Sequence, residues 1–388
     1  MKTTVRNPLL GMVGLSSVLI YVLACTSFSP DDSKVLYPGF DAPSGALGVF
    51  SYDRTTGRSE CVFLHQGHSH EGDKLAPVLL KPQWTPDGKA VVISWTGTEA
   101  MTIAWLPFPA GRPLRMLSLD GLGNSDAQLA QPLPLVGHRV FLACVKDQEN
   151  EIVRLDLDTG EIKSKQCPAE LEWLILLGAP AGDGVYYLAG RGEKTELGKL
   201  ETDSLKLTPL QALPDKILDK KSTVFALSPD GKKIAVVERE ENVSEIRIYQ
   251  RVAPPTRLAV ALQKETLAFG CLLFSPKADR LYATYRSTTE NPAGTLYGVM
   301  IIPLDGTPPR RVALTGGTEL TYDKITINLF KAGLSHDGKT LAVASTYLYF
   351  DDKLKLPHVA LYLVDVTQTP PVVTKVGIPL PPRGRYTK

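Results

Sequence analysis

The sequence predicts an all-β fold, a β-propeller built from four-stranded blades. After residue 45, short runs of Val, Ile, Leu, Tyr and Thr alternate with turn clusters, which is the pattern of β-strands. The 30 Pro and 32 Gly residues divide the chain into many short segments. One turn pattern also recurs at a nearly even spacing, and a repeat of about 40 to 50 residues made of short strands is typical of propeller blades.

The N-terminus has the layout of an export signal. Lys2 and Arg6 precede an uncharged apolar run of 16 residues from Leu9 to Ala24. This run is shorter than the roughly 20 residues that a membrane-crossing helix needs, and glycine and serine interrupt it. A cleaved signal peptide over residues 1–24 is therefore favoured.

The end of this run, Val22-Leu23-Ala24-Cys25, resembles the lipobox of bacterial lipoproteins. The resemblance implies that Cys25 is lipidated and becomes the first residue of the mature chain. It also implies an extracytoplasmic protein anchored to a bacterial membrane, since about two acyl chains give stable anchoring. The alternatives are an ordinary signal peptide or an uncleaved anchor. Residues 25–44, rich in Ser, Asp and Pro, are expected to form a flexible tether.

The mature chain is electrically neutral. Removal of the signal takes away Lys2 and Arg6 from 43 basic and 41 acidic residues, which leaves 41 of each. A neutral chain has no electrostatic attraction for nucleic acid, so we expect no nucleic-acid partner.

Four cysteines remain after Cys25, in a compartment where disulfides can form. They are Cys61, Cys144, Cys167 and Cys271, and no Cys-x-x-Cys spacing indicates a redox or zinc motif. Cys144 and Cys167 fall on the second and fourth strands of one predicted blade, about 9.6 Å apart, beyond the roughly 7 Å that a disulfide tolerates. We therefore expect mostly unbridged, buried cysteines.

The recurring turn joins an apolar residue to a tight turn and then to a strand. Proline presets φ, aspartate accepts hydrogen bonds from the following backbone, and glycine adopts positive φ. The copies are Trp84-Thr85-Pro86-Asp87-Gly88-Lys89, Leu227-Ser228-Pro229-Asp230-Gly231-Lys232 and Leu334-Ser335-His336-Asp337-Gly338-Lys339, with a degenerate copy at Phe274-Ser275-Pro276-Lys277-Ala278.

These turns set the number of blades. With Gly137 and Gly182 as further marks, the turns fall at 88, 137, 182, 231, 278 and 338, at intervals of 49, 45, 49, 47 and 60 residues. We predict six complete blades and an incomplete seventh at residues 46–65. The prediction is thus seven blades over residues 45–380, with six as the alternative, and a tail over 381–388.

The Ser-Pro-Asp-Gly-Lys turn followed by an apolar strand resembles the TolB-type propeller repeat, which also occurs in the propellers of prolyl oligopeptidase relatives. The blade length is similar to that of WD40-like repeats, although Gly137-His138 has no Trp-Asp partner. The resemblance implies a repeat scaffold with a binding face. No Gly-x-Ser-x-Gly elbow follows the signal, so no hydrolase domain is expected. Ser335-His336-Asp337 is interpreted as a turn, because adjacent residues cannot align as a triad.

A histidine-rich segment is a candidate metal site. His65, His68, His70 and Asp73 lie within nine residues, and imidazole and carboxylate together suit zinc. The spacing matches no established ligand pattern, and such segments are more often merely polar. No other cofactor is expected.

An aromatic and acidic segment follows the longest interval of the repeat. Insertions in propellers usually form binding loops. The segment therefore predicts a ligand-binding loop, with strand residues that alternate along the chain as the alternative; its residues are Tyr347, Tyr349, Phe350, Asp351 and Asp352.

These features favour a non-enzymatic binding or scaffold module of the cell envelope. Its partner would be an envelope protein, a peptide or a glycan, and a lipid would attach it to the membrane. The alternative is an enzyme of lactonase, glycosidase or lyase type with its site at the central channel, which a bound metal or converging acids with perturbed pKa values would favour. A purely structural or assembly role is the third possibility.

Overall fold

Seven antiparallel sheets follow one another along the chain in the computed structural model of this protein. Each sheet is one blade of a β-propeller, and each blade uses one contiguous stretch of chain. The structure describes residues 26–40, 47–65, 80–96, 100–108, 115–120, 123–124, 133–146, 149–178, 184–192, 194–213, 224–240, 243–250, 253–258, 265–289, 296–315, 326–327, 331–351 and 354–376.

Within each blade the strands pair in the order A, B, C, D. Blade 1 contains β1 (Ser27–Phe28), β2 (Lys34–Phe40), β3 (Leu47–Asp53) and β4 (Arg58–Leu64). Blade 2 contains β5 (Lys81–Trp84), β6 (Ala90–Thr96), β7 (Ala100–Pro107) and β8 (Arg115–Asp120). Blade 3 contains β9 (Gly123–Asn124) and β10 (Leu135–Val136), which share position A, then β11 (Arg139–Lys146), β12 (Glu149–Asp156) and β13 (Ile162–Gln166).

The remaining blades repeat this arrangement. Blade 4 contains β14 (Trp173–Gly178), β15 (Val185–Arg191), β16 (Lys194–Glu201) and β17 (Lys206–Leu213). Blade 5 contains β18 (Phe225–Leu227), β19 (Lys233–Glu240), β20 (Val243–Gln250) and β21 (Ala253–Leu258). Blade 6 contains β22 (Glu265–Phe274), β23 (Arg280–Thr289), β24 (Leu296–Pro303) and β25 (Arg310–Thr315). Blade 7 contains β26 (Thr326–Ile327) and β27 (Lys331–Leu334) at position A, then β28 (Thr340–Asp351), β29 (Leu354–Asp365) and β30 (Val372–Val376).

The core lies between the blades. Among the described residues, one apolar cluster fills the space between each pair of neighbouring blades, including the pair formed by blades 7 and 1. Strand residues alternate between the two faces of a sheet, so a blade packed on both sides needs apolar residues at nearly every position of its inner strands. The outer strands do not need apolar residues at nearly every position, and β13 is exposed along its whole length.

Among the described residues, no strand is exchanged between the first and the last blade of the ring. The described part of blade 1 comes from the N-terminal part of the chain and blade 7 from its C-terminal part, so non-covalent contacts join them. Phe28, Val35 and Tyr37 of blade 1 pack against Ala342 and Leu361 of blade 7, and all five are buried. Each large side chain that is fully buried in this way contributes about 1.5–3 kcal/mol.

The flexible tether expected over residues 25–44 is wrong for residues 26–40, which form β1, β2 and the turn between them. The physical reason is another copy of the repeat, Ser29-Pro30-Asp31-Asp32-Ser33-Lys34, between the buried residues Phe28 and Val35. The hairpin at residues 46–65 is therefore the outer half of a complete blade. The prediction of seven blades is confirmed, and the propeller already includes the strand Ser27–Phe28, ahead of the predicted boundary at residue 45.

The predicted repeat register is also confirmed. The apolar residue before each turn ends strand A and faces the second residue of strand B, in the pairs Trp84 with Val91, Leu227 with Ile234, Phe274 with Leu281 and Leu334 with Leu341. Phe28 and Val35 form the same pair in blade 1. Trp84, Leu227 and Phe274 are buried, whereas Leu334 is half-buried.

Replacement of Phe274 by Ala tests this register. Phe274 is 6% exposed in the cluster between blades 5 and 6, so we expect Phe274→Ala to lower the free energy of unfolding by about 3–5 kcal/mol. Val372→Ala is the control, because Val372 is 44% exposed on an outer strand. Urea unfolding measures both variants, and equal effects would contradict the assignment.

Candidate functional site

The two ends of the ring carry different connections. Because neighbouring strands are antiparallel, the A–B and C–D turns lie at one end and the B–C and D–A connections at the other. We call the first end the turn face and the second the connection face. The described A–B turns of the turn face span residues 29–33, 85–89, 137–138, 228–232, 275–279 and 335–339 in blades 1, 2, 3, 5, 6 and 7.

Five of these A–B turns share one hydrogen-bond pattern. In blade 5, the Ser228 hydroxyl donates to Asp230 Oδ1 at 2.6 Å and accepts from the Lys233 N–H at 2.9 Å. The Gly231 N–H donates to the Ser228 carbonyl oxygen at 2.9 Å. The same bonds recur in the turns that begin at Ser29, Thr85 and Ser335. The turn that begins at Ser275 keeps both backbone N–H bonds, but its hydroxyl donates to Asp279, four residues along, at 2.6 Å.

Positive φ at the fourth position explains the glycine of the repeat. This residue has a φ of 70° at Gly88, 67° at Gly231 and 71° at Gly338, and glycine adopts such angles without steric cost. The two degenerate copies keep the geometry with other residues, Asp32 at 58° and Ala278 at 51°. The hydrogen bonds of the turn therefore impose the backbone even where the preferred residue is missing.

The turns hold their carboxylates in the charged form. The Ser29 hydroxyl keeps the pKa of Asp31 below its ordinary value, and the Ser228 hydroxyl does the same for Asp230. Partial burial acts to raise the pKa of Asp87, but hydrogen bonds from the Lys89 N–H, the Thr85 hydroxyl and His138 bring it to about 2. Because these pKa values are depressed, the stabilisation is complete above the ordinary pKa of about 4 and is lost as the pH falls through the lowered values.

His138 connects blades 2 and 3 on the turn face. Its Nδ1 lies 2.8 Å from Asp158 Oδ1 in its own blade, and its Nε2 lies 3.1 Å from Asp87 Oδ2 in blade 2. The bond to Asp158 is the main cause that raises the pKa of His138, partial burial opposes it, and the bond to Asp87 adds to the rise. Both ring nitrogens donate only when the imidazole is protonated, so the bridge is strongest in the charged form.

Asp32 joins blade 1 to blade 7 across the closing seam. Its Oδ1 accepts the His336 N–H at 2.8 Å and its Oδ2 accepts the Asp337 N–H at 3.0 Å, while His336 Nδ1 lies 2.9 Å from Oδ1. Arg54 continues the link, because one nitrogen donates to the Asp32 carbonyl oxygen at 2.8 Å and another to Thr340 Oγ1 at 2.9 Å. Ser335-His336-Asp337 is thus a repeat turn, as predicted from the sequence, and its histidine contacts Asp32 across the closing seam.

The segment predicted as a binding loop is a strand. Tyr347, Tyr349, Phe350 and Asp351 belong to β28, which pairs with β29 over all 12 residues. The loop assignment fails because these residues continue the strand that follows the Gly338 turn. Asp352 lies outside the described residues, and a binding role for this segment stays a prediction.

The candidate metal ligands are described only at His65. Its ring meets the edge of Trp95, with 5.4 Å between centroids, and burial lowers its pKa. His68, His70 and Asp73 lie outside the described residues. Within the part of the chain that the structure describes, no cluster of three or more His, Cys, Asp or Glu residues could hold a metal ion.

The sequence also gave predictions for the four cysteines after Cys25 and for the lipid site at Cys25. Cys61, Cys144, Cys167 and Cys271 are all thiols, with Cys144 and Cys167 buried and Cys61 exposed. The expectation of unbridged cysteines is confirmed, and that of burial is wrong for Cys61. Cys25 lies outside the described residues, and no helix among the described ones has the length and apolar character that crossing a membrane requires.

Sequence reasoning missed Asp32 and His138. The signal for Asp32 was present, since Ser29-Pro30-Asp31-Asp32-Ser33-Lys34 follows the repeat except at the glycine position. His138 gave no such signal. Its two acceptors lie 20 and 51 residues away along the chain, and only the closed ring brings them together.

Comparison with known proteins supports the fold. The β-propeller domain of the Trilobed protease from Pyrococcus furiosus, described as having an open velcro topology, matches with a TM-score of 0.53 and 11% identity, over 92% of this chain and 98% of that one. The β-propeller domain of Cps50 (Swd1) from Myceliophteria thermophila matches with a TM-score of 0.51 and 12% identity, over 92% and 98%. At these identities the likeness shows the fold alone.

TolB from Acinetobacter baumannii matches with a TM-score of 0.44 and 18% identity, over 72% of this chain and 65% of that one. The chain thus matches less than two thirds of the TolB structure. No protein-family model matches the sequence, and no curated protein matches it significantly.

We expect Asp32→Gly to weaken the closing seam. Glycine favours the positive φ of this position, so the variant loses the carboxylate and its bonds to blade 7 without backbone strain. The free energy of unfolding should fall by about 1–3 kcal/mol. Ala278→Gly, at the same turn position in blade 6, is the control and should be neutral or stabilising. Urea unfolding compares them, and an equally stable Asp32→Gly protein would show that the clamp contributes nothing.

His138→Gln should alter the pH dependence of stability. A pKa raised in the folded state means that the contribution is complete below the ordinary value of 6.5 and is lost as the pH rises through the raised value. The difference in unfolding free energy between the natural protein and His138→Gln should therefore be larger at pH 5.5 than at pH 8.5. The same difference at both pH values would mean that the imidazole does not bridge the blades as a cation.

Proposed function

We propose that this protein is an exported, lipid-anchored β-propeller that acts as a non-enzymatic binding module in the bacterial cell envelope, with the turn face as its binding surface. The observation that carries the proposal is the repeated hydrogen-bonded turn. It presents one preorganised set of polar groups in five blades around the ring.

Preorganisation favours binding because little conformational entropy remains to be lost. The turn carboxylates are already fixed by hydroxyl and backbone donors, so a partner meets a surface that does not have to order itself. Binding surfaces on rigid scaffolds commonly consist of such turns. A partner therefore gains most of the interaction energy of each contact.

The exposed charges indicate the class of partner. Side chains of Lys89, Lys232 and Lys339 are 79%, 74% and 65% exposed, and each lies 3.3–3.8 Å from the carboxylate of its own turn. Exposed pairs of this kind are weak, so donors and acceptors stay accessible side by side. This alternation suits a protein, peptide or glycan that offers both kinds of group, and it is unsuited to a nucleic-acid backbone, which presents negative charge alone.

The lipid anchor of the proposal rests on Cys25 and the apolar run before it. A diacylated Cys25 would keep the propeller at the membrane without any further apolar segment. The mature chain is electrically neutral, so electrostatic attraction to an anionic membrane would not hold it at the surface. The lipid would therefore be its attachment.

The test combines localisation with site-specific crosslinking. We expect Cys25→Ser to move from the membrane fraction to the soluble fraction, since it removes the acyl attachment. A photo-crosslinking residue at position 232 should capture the same partner with and without the anchor, because the turn face does not depend on it. Cys61→Ser is the matched cysteine control and should stay on the membrane.

A crosslinker at position 166 is the positional control, because Gln166 is exposed at the end of the outer strand β13 that lies away from the C–D turn. Adducts of equal yield from positions 166 and 232 would contradict the turn face as the binding surface. Retention of Cys25→Ser on the membrane with a normally cleaved N-terminus would contradict the lipid anchor.

A further inference from the structure

Four cationic side chains of blade 3 face blade 4 across the seam between these two blades. They are Arg139 of β11, Arg154 of β12, and Lys163 and Lys165 of β13. Arg154 and Lys163 are partners in the pairing of β12 with β13, so their side chains lie on the same face of the sheet. Each of the four contacts the C–D turn of blade 4, residues 202–205.

The C–D turn of blade 4 contacts three of these cations through neutral oxygen atoms. Carbonyl oxygens of residues 202–204 accept bonds from Arg154 at 3.5 Å, from Lys163 at 2.6 Å and from Lys165 at 3.3 Å. A carbonyl oxygen orients a cation but does not neutralise its charge. The seam therefore gathers positive charge that its own backbone bonds do not cancel.

Three carboxylates lie within 4 Å of these four cations, which leaves one positive charge in excess among the described residues. Asp203 Oδ1 lies 2.7 Å from an Arg139 nitrogen, and the Asp203 side chain is 82% exposed. Asp156 lies 3.7 Å from Arg139, and its Oδ1 accepts three bonds from its own turn. Glu161 lies 3.9 Å from Arg154. One further anion of single charge would balance the seam.

Arg154 has the weakest partners of the four cations. Its side chain is 10% exposed, and its Nε is buried without a hydrogen-bond partner in the described part of the chain. Its nearest carboxylates, Glu161 and Asp203, both lie at 3.9 Å, whereas a charge-assisted hydrogen bond measures about 2.7–2.9 Å. A guanidinium has five N–H donors, and a buried charge without close partners is costly. An external carboxylate would supply the acceptors that this arginine lacks.

Packing of the propeller does not require an arginine at this position. Arg154 stands two residues before the aspartate that ends strand C, a position that Ser51 occupies in blade 1 and Leu363 in blade 7. Ser51 is buried, and Leu363 packs against the apolar cluster between blades 7 and 1. The arginine is therefore particular to blade 3, and a role in binding accounts for its cost.

We propose that the seam between the outer parts of blades 3 and 4 binds a carboxylate side chain of an acidic peptide segment. The guanidinium of Arg154 binds the carboxylate through two parallel N–H···O bonds, the geometry for which arginine is preferred. Asp203, which already places a carboxylate oxygen on Arg139, moves outward and leaves its place to the ligand. The single excess charge favours a carboxylate over a doubly charged phosphate. The inference goes beyond the proposed function, because it requires neither the lipid anchor nor the turns of the other blades.

The test measures binding of a fluorescein-labelled peptide of alternating Glu and Gly to the full-length protein by fluorescence anisotropy. The same peptide with Gln in place of Glu is the neutral control. Arg154→Leu should weaken binding of the Glu peptide about tenfold or more, because it removes the charged fork. It should keep the fold, since leucine occupies this position in blade 7. If it does not fold, Arg154→Lys keeps the charge without the fork and should weaken binding several-fold.

Asp203→Asn separates a binding site from an ion pair that only stabilises the fold. It removes the carboxylate that competes for the cations, so affinity for the Glu peptide should rise several-fold. Arg247→Leu is the matched control, because Arg247 is a half-buried arginine of strand C in blade 5 whose Nε donates to Glu245 at 3.1 Å. Its replacement should leave peptide binding unchanged.

Several results would overturn the site. These are absence of binding to the natural protein, equal affinity of Arg154→Leu, and equal binding of the Gln peptide. Weaker binding by Asp203→Asn would also overturn it, because Asp203 would then not occupy the place of the ligand. Displacement of the peptide by inorganic phosphate, at concentrations where acetate has no effect, would contradict the carboxylate as ligand. Capture of a partner from position 232 tests the turn face separately, so failure of this site alone leaves the proposed function in place.

Discussion

The closing seam between blades 1 and 7 is the constraint on which the ring depends. Every other pair of neighbouring blades is joined by the continuous chain, whereas the described residues of this pair are held together by non-covalent contacts. Apolar contacts supply the area, with Val35 and Leu361 fully buried. Asp32 adds directional hydrogen bonds between the two blades, because its carboxylate accepts two backbone N–H groups of the blade 7 turn. A seam of this kind requires the first blade to be complete, which explains why residues 27–40 form two of its strands.

Much of the fold could be predicted from the sequence because its repeat is local. A hydroxyl, a carboxylate and a residue of positive φ within six positions define each turn, and the strand that follows inherits its register. The prediction failed where other residues replaced this local signal. Asp32 took the position of glycine in a segment of Ser, Asp and Pro, a composition that is also typical of flexible linkers. Tyr347 to Asp351 resembled a loop because they follow the longest interval of the repeat, which was interpreted as an insertion, although they belong to strand β28.

The candidate site was less predictable, because it depends on contacts between distant parts of the chain. His138 meets Asp87 only when blades 2 and 3 pack together, and neither residue alone signals a bridge. The same packing gives the molecule two unlike ends. The turn face has short, hydrogen-bonded connections and is proposed to bind a partner. The alternation of antiparallel strands gathers these turns at one end of the ring.

Hydrogen exchange of the amides at residues 26–40 tests the central claim most directly, since this segment either completes the ring or behaves as a tether. The account predicts that the amides of Leu36 and Tyr37 exchange as slowly as those of Ala342 and Val343 across the seam, because all four lie in paired, buried strands. Exchange of Leu36 and Tyr37 at the rate of an unstructured peptide, with Ala342 and Val343 still protected, would contradict a ring closed by its N-terminal blade.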